Sequence, residues 1–286
     1  MKTASLGETI LGWATRDPAV ELLVLIGSRA RAEKGFAAAD DHSDWDFQIA
    51  TADPQRFQSG TWLEALGLPP LAYVWRTGRL GSSQKASAVT PAGELDLVVL
   101  PVQPLRQVAA VVTQGDGTVP AAVRPALGDL AAVLAGGFRI LKGEPEFGRF
   151  FELVSQQAPG NRLDDREVLG LAEAFVCDYV FVRRKIARGE LVAAQRWLHQ
   201  QLAEANYRLL HELRLRRGEP SFPDARRLEQ LGEPLASALI LGGRPDAREL
   251  RAAAAAMAGV LRQLMQSLVG DRWRWPDLAA SGLGTE

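Results

Sequence analysis

An apolar run from Glu21 to Ile26 stops at Gly27-Ser28-Arg29, and after a polar loop the chain resumes with Asp44-Trp45-Asp46. Leucine, valine and isoleucine fill the run and glycine ends it, which predicts a buried strand. Trp45 to Ala50 predicts a second strand. Side chains two apart along a strand leave the same face, so Asp44 and Asp46 stand side by side. Adjacent carboxylates repel each other and are costly to desolvate. A divalent cation offsets that cost, and hard oxygen ligands suit magnesium. A solvated strand end is the competing reading of the pair.

Holding two metal ions takes a third carboxylate. Asp96 is the candidate, inside the alternating, β-branched stretch Glu94-Leu95-Asp96-Leu97-Val98-Val99-Leu100. Pro91-Ala92-Gly93 predicts a hairpin turn joining Lys85–Thr90 to Glu94–Leu100, which places Asp96 on a strand. Glycine at position 27 lets backbone N–H groups of Gly27 and Ser28 approach a phosphate. The planar fork of Arg29 matches phosphate oxygens, although a surface ion pair would also explain it. Together these parts suit nucleotidyl transfer, in which metal ions clamp the reacting oxygens and donors hold the triphosphate.

The motif set Leu25-Ile26-Gly27-Ser28-Arg29, Asp44-Trp45-Asp46-Phe47, Trp62-Leu63-Glu64-Ala65-Leu66-Gly67 and Leu95-Asp96-Leu97-Val98-Val99-Leu100-Pro101 resembles the DNA polymerase β-like nucleotidyltransferase superfamily. Within it, the chain looks like the aminoglycoside 6-adenylyltransferases, the streptomycin-modifying enzymes. Ile186-Ala187-Arg188-Gly189-Glu190, Leu198-His199-Gln200 and Leu209-Leu210-His211-Glu212 extend the resemblance toward Gly218. It implies transfer of AMP from ATP to a hydroxyl of a small acceptor, such as an aminoglycoside, with release of pyrophosphate. It also implies two magnesium ions on Asp44, Asp46 and Asp96, with Asp96 or Glu173 taking the hydroxyl proton.

By the same resemblance Lys142, in Ile140-Leu141-Lys142-Gly143, reaches the triphosphate. A lysine at an exposed helix end is the plainer reading. Glu173 falls where the resembling enzymes carry an acidic cluster that receives the cationic antibiotic. Here that region reads Gly170-Leu171-Ala172-Glu173-Ala174, and the nearest further acids, Asp164, Asp165 and Glu167, come earlier. A polycation needs several carboxylates to hold it. A partner protein, an RNA acceptor of antitoxin type, or a non-catalytic nucleotide-binding module therefore stays open beside the small-molecule reading.

With 286 residues, the chain predicts two domains of roughly 100–200 residues each. The expected fold is α+β: a nucleotidyltransferase domain over 1–142, with a mixed sheet and flanking helices, then a helical bundle over 143–286 that binds the acceptor. The formal net charge of −1 argues against nucleic acid as a partner. The single cysteine, Cys177, fits a reducing cytoplasm. The longest uncharged apolar run, Ala252 to Leu261, is shorter than the roughly 18 residues of a membrane span. Ser5-Leu6-Gly7-Glu8 predicts a capping box opening the first helix. Pro54–Leu66, Asp165–Arg188, Leu191–Arg216, Leu228–Leu241 and Asp246–Val269 predict further helices, with Gly189 as a turn between two of them. Oligomeric state is not legible.

Overall fold

A computed structural model describes residues 5–31, 38–78, 83–114, 119–157, 162–235, 239 and 245–278. In chain order the first unit contains α1 (Leu6–Arg16), β1 (Val20–Ile26), β2 (Trp45–Thr51), α2 (Thr61–Glu64), β3 (Ala72–Thr77), β4 (Gln84–Thr90), β5 (Gly93–Pro101), α3 (Val102–Gln114), α4 (Arg124–Leu134), β6 (Phe138–Lys142) and α5 (Glu144–Ser155). The predicted capping box opens α1: the Ser5 hydroxyl accepts from the Glu8 N–H, and the Glu8 carboxylate accepts from the Ser5 N–H.

Six strands form one mixed sheet in the order β3-β4-β5-β2-β1-β6. Among the described residues, the β2–β5 pair is parallel and the other neighbours run antiparallel. The centre is buried on both faces, which is why β1 reads as an unbroken apolar run. One face carries Leu23, Leu25, Phe47, Ile49, Leu97 and Val99 against Leu6 and Ile10 of α1 and against Phe57, Trp62 and Leu63. The other face carries Leu22, Val24, Ile26 and Ala50 against α3, α4 and α5, where Phe147, Phe150 and Phe151 fill the interface.

Three departures from the expected layout have physical causes. The helix expected over Pro54–Leu66 is a 3₁₀ turn, Pro54–Phe57, followed by the single α-turn of α2. It breaks at Ser59-Gly60, where a Cβ on Gly60 would lie 2.5 Å from the Pro70 ring. Second, the Ile140-Leu141-Lys142 stretch is no helix end. It belongs to edge strand β6, paired with β1. Third, the division between units falls between residues 161 and 162, where a boundary after 142 was expected. The phenylalanines of α5 bury themselves on the sheet, and that tie keeps α5 in the first unit.

The second unit, residues 162–286, is helical. It holds α6 (Asp165–Ala187), α7 (Leu191–Trp197), α8 (Glu204–Arg216) and α9 (Ala247–Val269), with a π-helical turn, Leu198–Ala203, joining α7 to α8. The expected α+β chain with a helical second part is what is observed. Of the helix predicted over Leu228–Leu241, only a 3₁₀ turn, Leu228–Leu231, is found, and 236–238, 240 and 241 lie outside the described residues. Ala247–Arg272 is long and apolar enough, by length and composition, to cross a membrane, although half of that apolar window is buried inside the unit. Met257, Leu261 and Leu264 there join Phe175 and Val182 of α6 and Leu209 of α8 in one core.

Glu212 anchors the start of this unit. Its carboxylate is almost fully buried and accepts from Arg162 Nε and Nη2 (3.0 and 2.9 Å), Leu163 N (3.0 Å) and Arg216 Nε (2.9 Å). Burial pushes its pKa up, but the hydrogen bonds from Arg162, Leu163 and Arg216 outweigh burial and bring it from 4.5 down to about 2. A depressed carboxylate pKa contributes stability that is complete above 4.5 and is lost as pH falls toward about 2. Glu212→Gln is therefore expected to cost about 3 kcal/mol at neutral pH. Urea titrations followed by tryptophan fluorescence should show the gap between the two proteins narrowing as the pH drops through 4.5.

Candidate active site

The sheet register brings the acids together. Asp46 on β2 lies opposite Ile26 of β1 on one side and opposite Asp96 of β5 on the other. Asp44 stands just ahead of β2. One carboxylate oxygen from each of Asp44, Asp46 and Asp96 lies within 4.8 Å of the other two. All three residues are half-buried, so solvent screens their mutual repulsion incompletely. Three hard oxygen donors at this spacing fit a magnesium-type ion.

Gly27 ends β1 with φ of 73°, a backbone region that favours glycine. A Cβ at this position would stand 2.3 Å from Asp46 Oδ2. The glycine therefore makes room for the carboxylate as well as for the turn. Ser28 opens a 3₁₀ turn, Ser28–Ala30, next to that carboxylate.

Arg29 reaches the loop ahead of β2. Its Nε donates to the Asp44 carbonyl at 2.9 Å and its Nη2 to the Ser43 carbonyl. The guanidinium also lies 4.5 Å from the centre of the Trp45 ring. Two of the five guanidinium N–H donors are used on backbone oxygens. Arg29 is a clamp on the loop that delivers Asp44. That loop is braced a second time, since Asp40 Oδ1 accepts from the His42 N–H (3.0 Å) and the Ser43 hydroxyl (2.9 Å).

Lys142 ends edge strand β6. It pairs with Leu23 in the β1–β6 register, three positions back along β1 from Ile26, the neighbour of Asp46. Its ammonium donates to the carbonyls of Ala14 and Asp17 at 2.7 and 2.8 Å, and so closes the C-terminus of α1. A cation there satisfies orphan carbonyls and the helix dipole, and two of the three ammonium donors are used on them. Glu173 lies in the helical unit, exposed on α6, where one carboxylate oxygen accepts from the Trp273 indole at 2.9 Å. That oxygen holds the C-terminal segment to α6.

Two site residues on β4 were missed. The Lys85 ammonium forms an ion pair with Asp96 Oδ2. The Ser87 hydroxyl donates to Asp96 Oδ1 at 2.6 Å and itself accepts from Arg76 Nη2 at 3.2 Å. The hairpin turn carried the signal. Thr90 opposite Gly93 fixes the register, which puts Ser87 opposite Asp96 and Lys85 one pleat further along the same face. A groove of about 200 Å³ runs from Asp44 and Asp96 over β3 and β4. Val74 and Val89 line it and are 51% and 40% exposed, so this part of the sheet face is open and apolar.

No protein-family model and no curated protein matches the chain. Among solved structures, it is similar to an aminoglycoside 6-adenyltransferase from Bacillus subtilis, at 14% identity and a TM-score of 0.39, over 98% of this chain and 96% of that one. It is also similar to a nucleotidyltransferase-like protein from Exiguobacterium sibiricum, at 14% identity and a TM-score of 0.34, over 91% and 74% of the two chains. At that level of superposition, the chemistry of the site rests on its own geometry.

Two substitutions test that geometry. Gly27→Ala is expected to push the Asp46 carboxylate aside and weaken Mn2+ binding, read by the electron paramagnetic resonance of free Mn2+, with far-UV circular dichroism unchanged. Arg29→Lys keeps the charge but loses the fork. It is expected to cost roughly 10-fold or more in Mn2+ affinity, as is usual when the support of a ligand is removed.

Proposed function

We propose that the chain is a magnesium-dependent nucleotidyltransferase that moves AMP from ATP to a hydroxyl of a small molecule. One observation carries the reading: Asp44, Asp46 and Asp96 present their oxygens within 4.8 Å of one another, beside a glycine bend that a side chain would close. In this reading Asp44 and Asp46 hold the divalent cation together with the triphosphate, and Asp96 completes the acidic wall. A bound magnesium ion supplies Lewis-acid stabilisation of the charge that grows on the phosphate oxygens. The backbone N–H groups at Gly27 and Ser28 face the outer phosphates. The acceptor oxygen bonds to the α-phosphorus as the bond to the β-phosphate bridging oxygen breaks. Pyrophosphate leaves with that electron pair, and the hydroxyl proton passes to a carboxylate oxygen of Asp96. Asp96 is assigned this task over Glu173, which holds the Trp273 indole.

The groove over β3 and β4 offers the acceptor an apolar wall, with Glu94 near its edge. An aminoglycoside such as streptomycin is the first acceptor to test, and sugars and other hydroxyl-bearing antibiotics complete the panel. A cytoplasmic setting goes with this reading, since the one thiol, Cys177, is exposed and needs no partner in a reducing compartment. The test is pyrophosphate release from ATP and magnesium across that panel. Asp46→Asn, shown folded by circular dichroism, is expected to lower the rate with the best acceptor on the order of 10³-fold. Equal rates from the two proteins would reject the proposal.

A further inference from the structure

Asp96 is held at both of its oxygens. The Lys85 ammonium pairs with Oδ2, and the Ser87 hydroxyl donates to Oδ1 at 2.6 Å. The two holds differ in kind. An ammonium rides on a flexible four-carbon stem and can follow a carboxylate that turns. Ser87 has a short side chain, set directly opposite Asp96 by the β4–β5 register. The last torsion of an aspartate is broad, so a donor fixed in place at one oxygen is what sets the plane of the carboxylate.

The direction of the Ser87 bond is set from β3. Arg76 Nη2 donates to Ser87 Oγ at 3.2 Å. A guanidinium has donors and no acceptor, and an ionised carboxylate has acceptors and no donor. The single Ser87 proton therefore goes to Asp96. Arg76 reaches Ser87 along a diagonal of the sheet face, because β3 pairs Val74 with Ser87 and Arg76 with Lys85. One line of hydrogen bonds thus crosses three strands, from exposed Arg76 through half-buried Ser87 to Asp96.

We infer that Ser87 and Arg76 are positioning residues of the acidic site: Ser87 fixes the plane of the Asp96 carboxylate, and Arg76 acts through Ser87. The inference rests on the nucleotidyltransferase reading and adds two residues to it. A turned carboxylate moves the Asp96 oxygen that lies within 4.8 Å of those of Asp44 and Asp46. Both the donor set offered to a cation and the base offered to the acceptor hydroxyl move with it.

The experiment titrates the full chain with Mn2+ in the presence of α,β-methylene-ATP and reads free Mn2+ by electron paramagnetic resonance, so that no acceptor is needed. Ser87→Ala is expected to weaken Mn2+ binding on the order of 10-fold, the usual effect of removing the support of a ligand. Ser87→Thr keeps the hydroxyl on a residue that suits a strand and is expected to restore the affinity. Arg76→Met is expected to lose part of the affinity in the wild-type chain and nothing further in Ser87→Ala, because residues of one hydrogen-bond line do not add. With the best acceptor of the panel, Ser87→Ala is expected to lower kcat and leave the KM for ATP unchanged. Wild-type affinity and kcat in a folded Ser87→Ala chain overturn the inference, and if Asp46→Asn is still impaired the proposed activity stands. An Arg76→Met loss of equal size in both backgrounds overturns the role of Arg76. If Ser87→Ala does not fold, Arg76→Met at its exposed position decides, and wild-type affinity there overturns the inference. If Asp46→Asn changes neither Mn2+ binding nor pyrophosphate release, the inference and the reading beneath it both fall.

Discussion

The site depends on the parallel pairing of β2 with β5. Backbone hydrogen bonds hold the two strands in register, and the register sets Asp46 directly opposite Asp96. Neighbouring strands lie about 4.8 Å apart, so two carboxylates that repel each other are held in contact range by the ladder. The buried apolar residues on both sides of β2, Phe47, Ile49 and Ala50, resist any slip of that register. The hydrophobic core thus supplies the work of keeping like charges together. A cation, or the ammonium of Lys85, collects the return.

Around that pair, each nearby device has a single mechanical job. Gly27 removes a side chain that would collide with Asp46. Arg29 and Asp40 fasten the loop that brings Asp44 to its neighbours. Lys142 closes the end of α1, whose apolar side seals one face of the sheet. Basic residues that look interchangeable in composition are spent on different tasks, and Lys85 is one whose ammonium pairs with Asp96.

Much of this was legible from the residues, for identifiable reasons. β1 is sandwiched between two layers, so its apolar run is unbroken. The hairpin announces itself through Pro91-Ala92-Gly93, and the acids announce themselves by their spacing. β6 was hidden because five residues at a sheet edge, Phe-Arg-Ile-Leu-Lys, carry no clear period. The roles of Arg29 and Lys142 were hidden for another reason. A long cationic side chain can turn toward a ligand or toward a carbonyl, and its own sequence position is the same in both cases. The packing of α5 on the sheet was hidden because its amphipathic pattern states that it buries one side without stating against what. Lys85 and Ser87 could have been found by counting back from the turn.

The sheet is completed late in the chain. β6, at Phe138–Lys142, pairs with β1, at Val20–Ile26, after α2, α3, α4 and four other strands have been laid down. Closing so wide a loop is slow in entropic terms. During synthesis on the ribosome, the edge of β1 that pairs with β6 stays without its neighbour until about half of the polypeptide has emerged. The strand that carries the glycine bend is therefore the one a chaperone would have longest to shield.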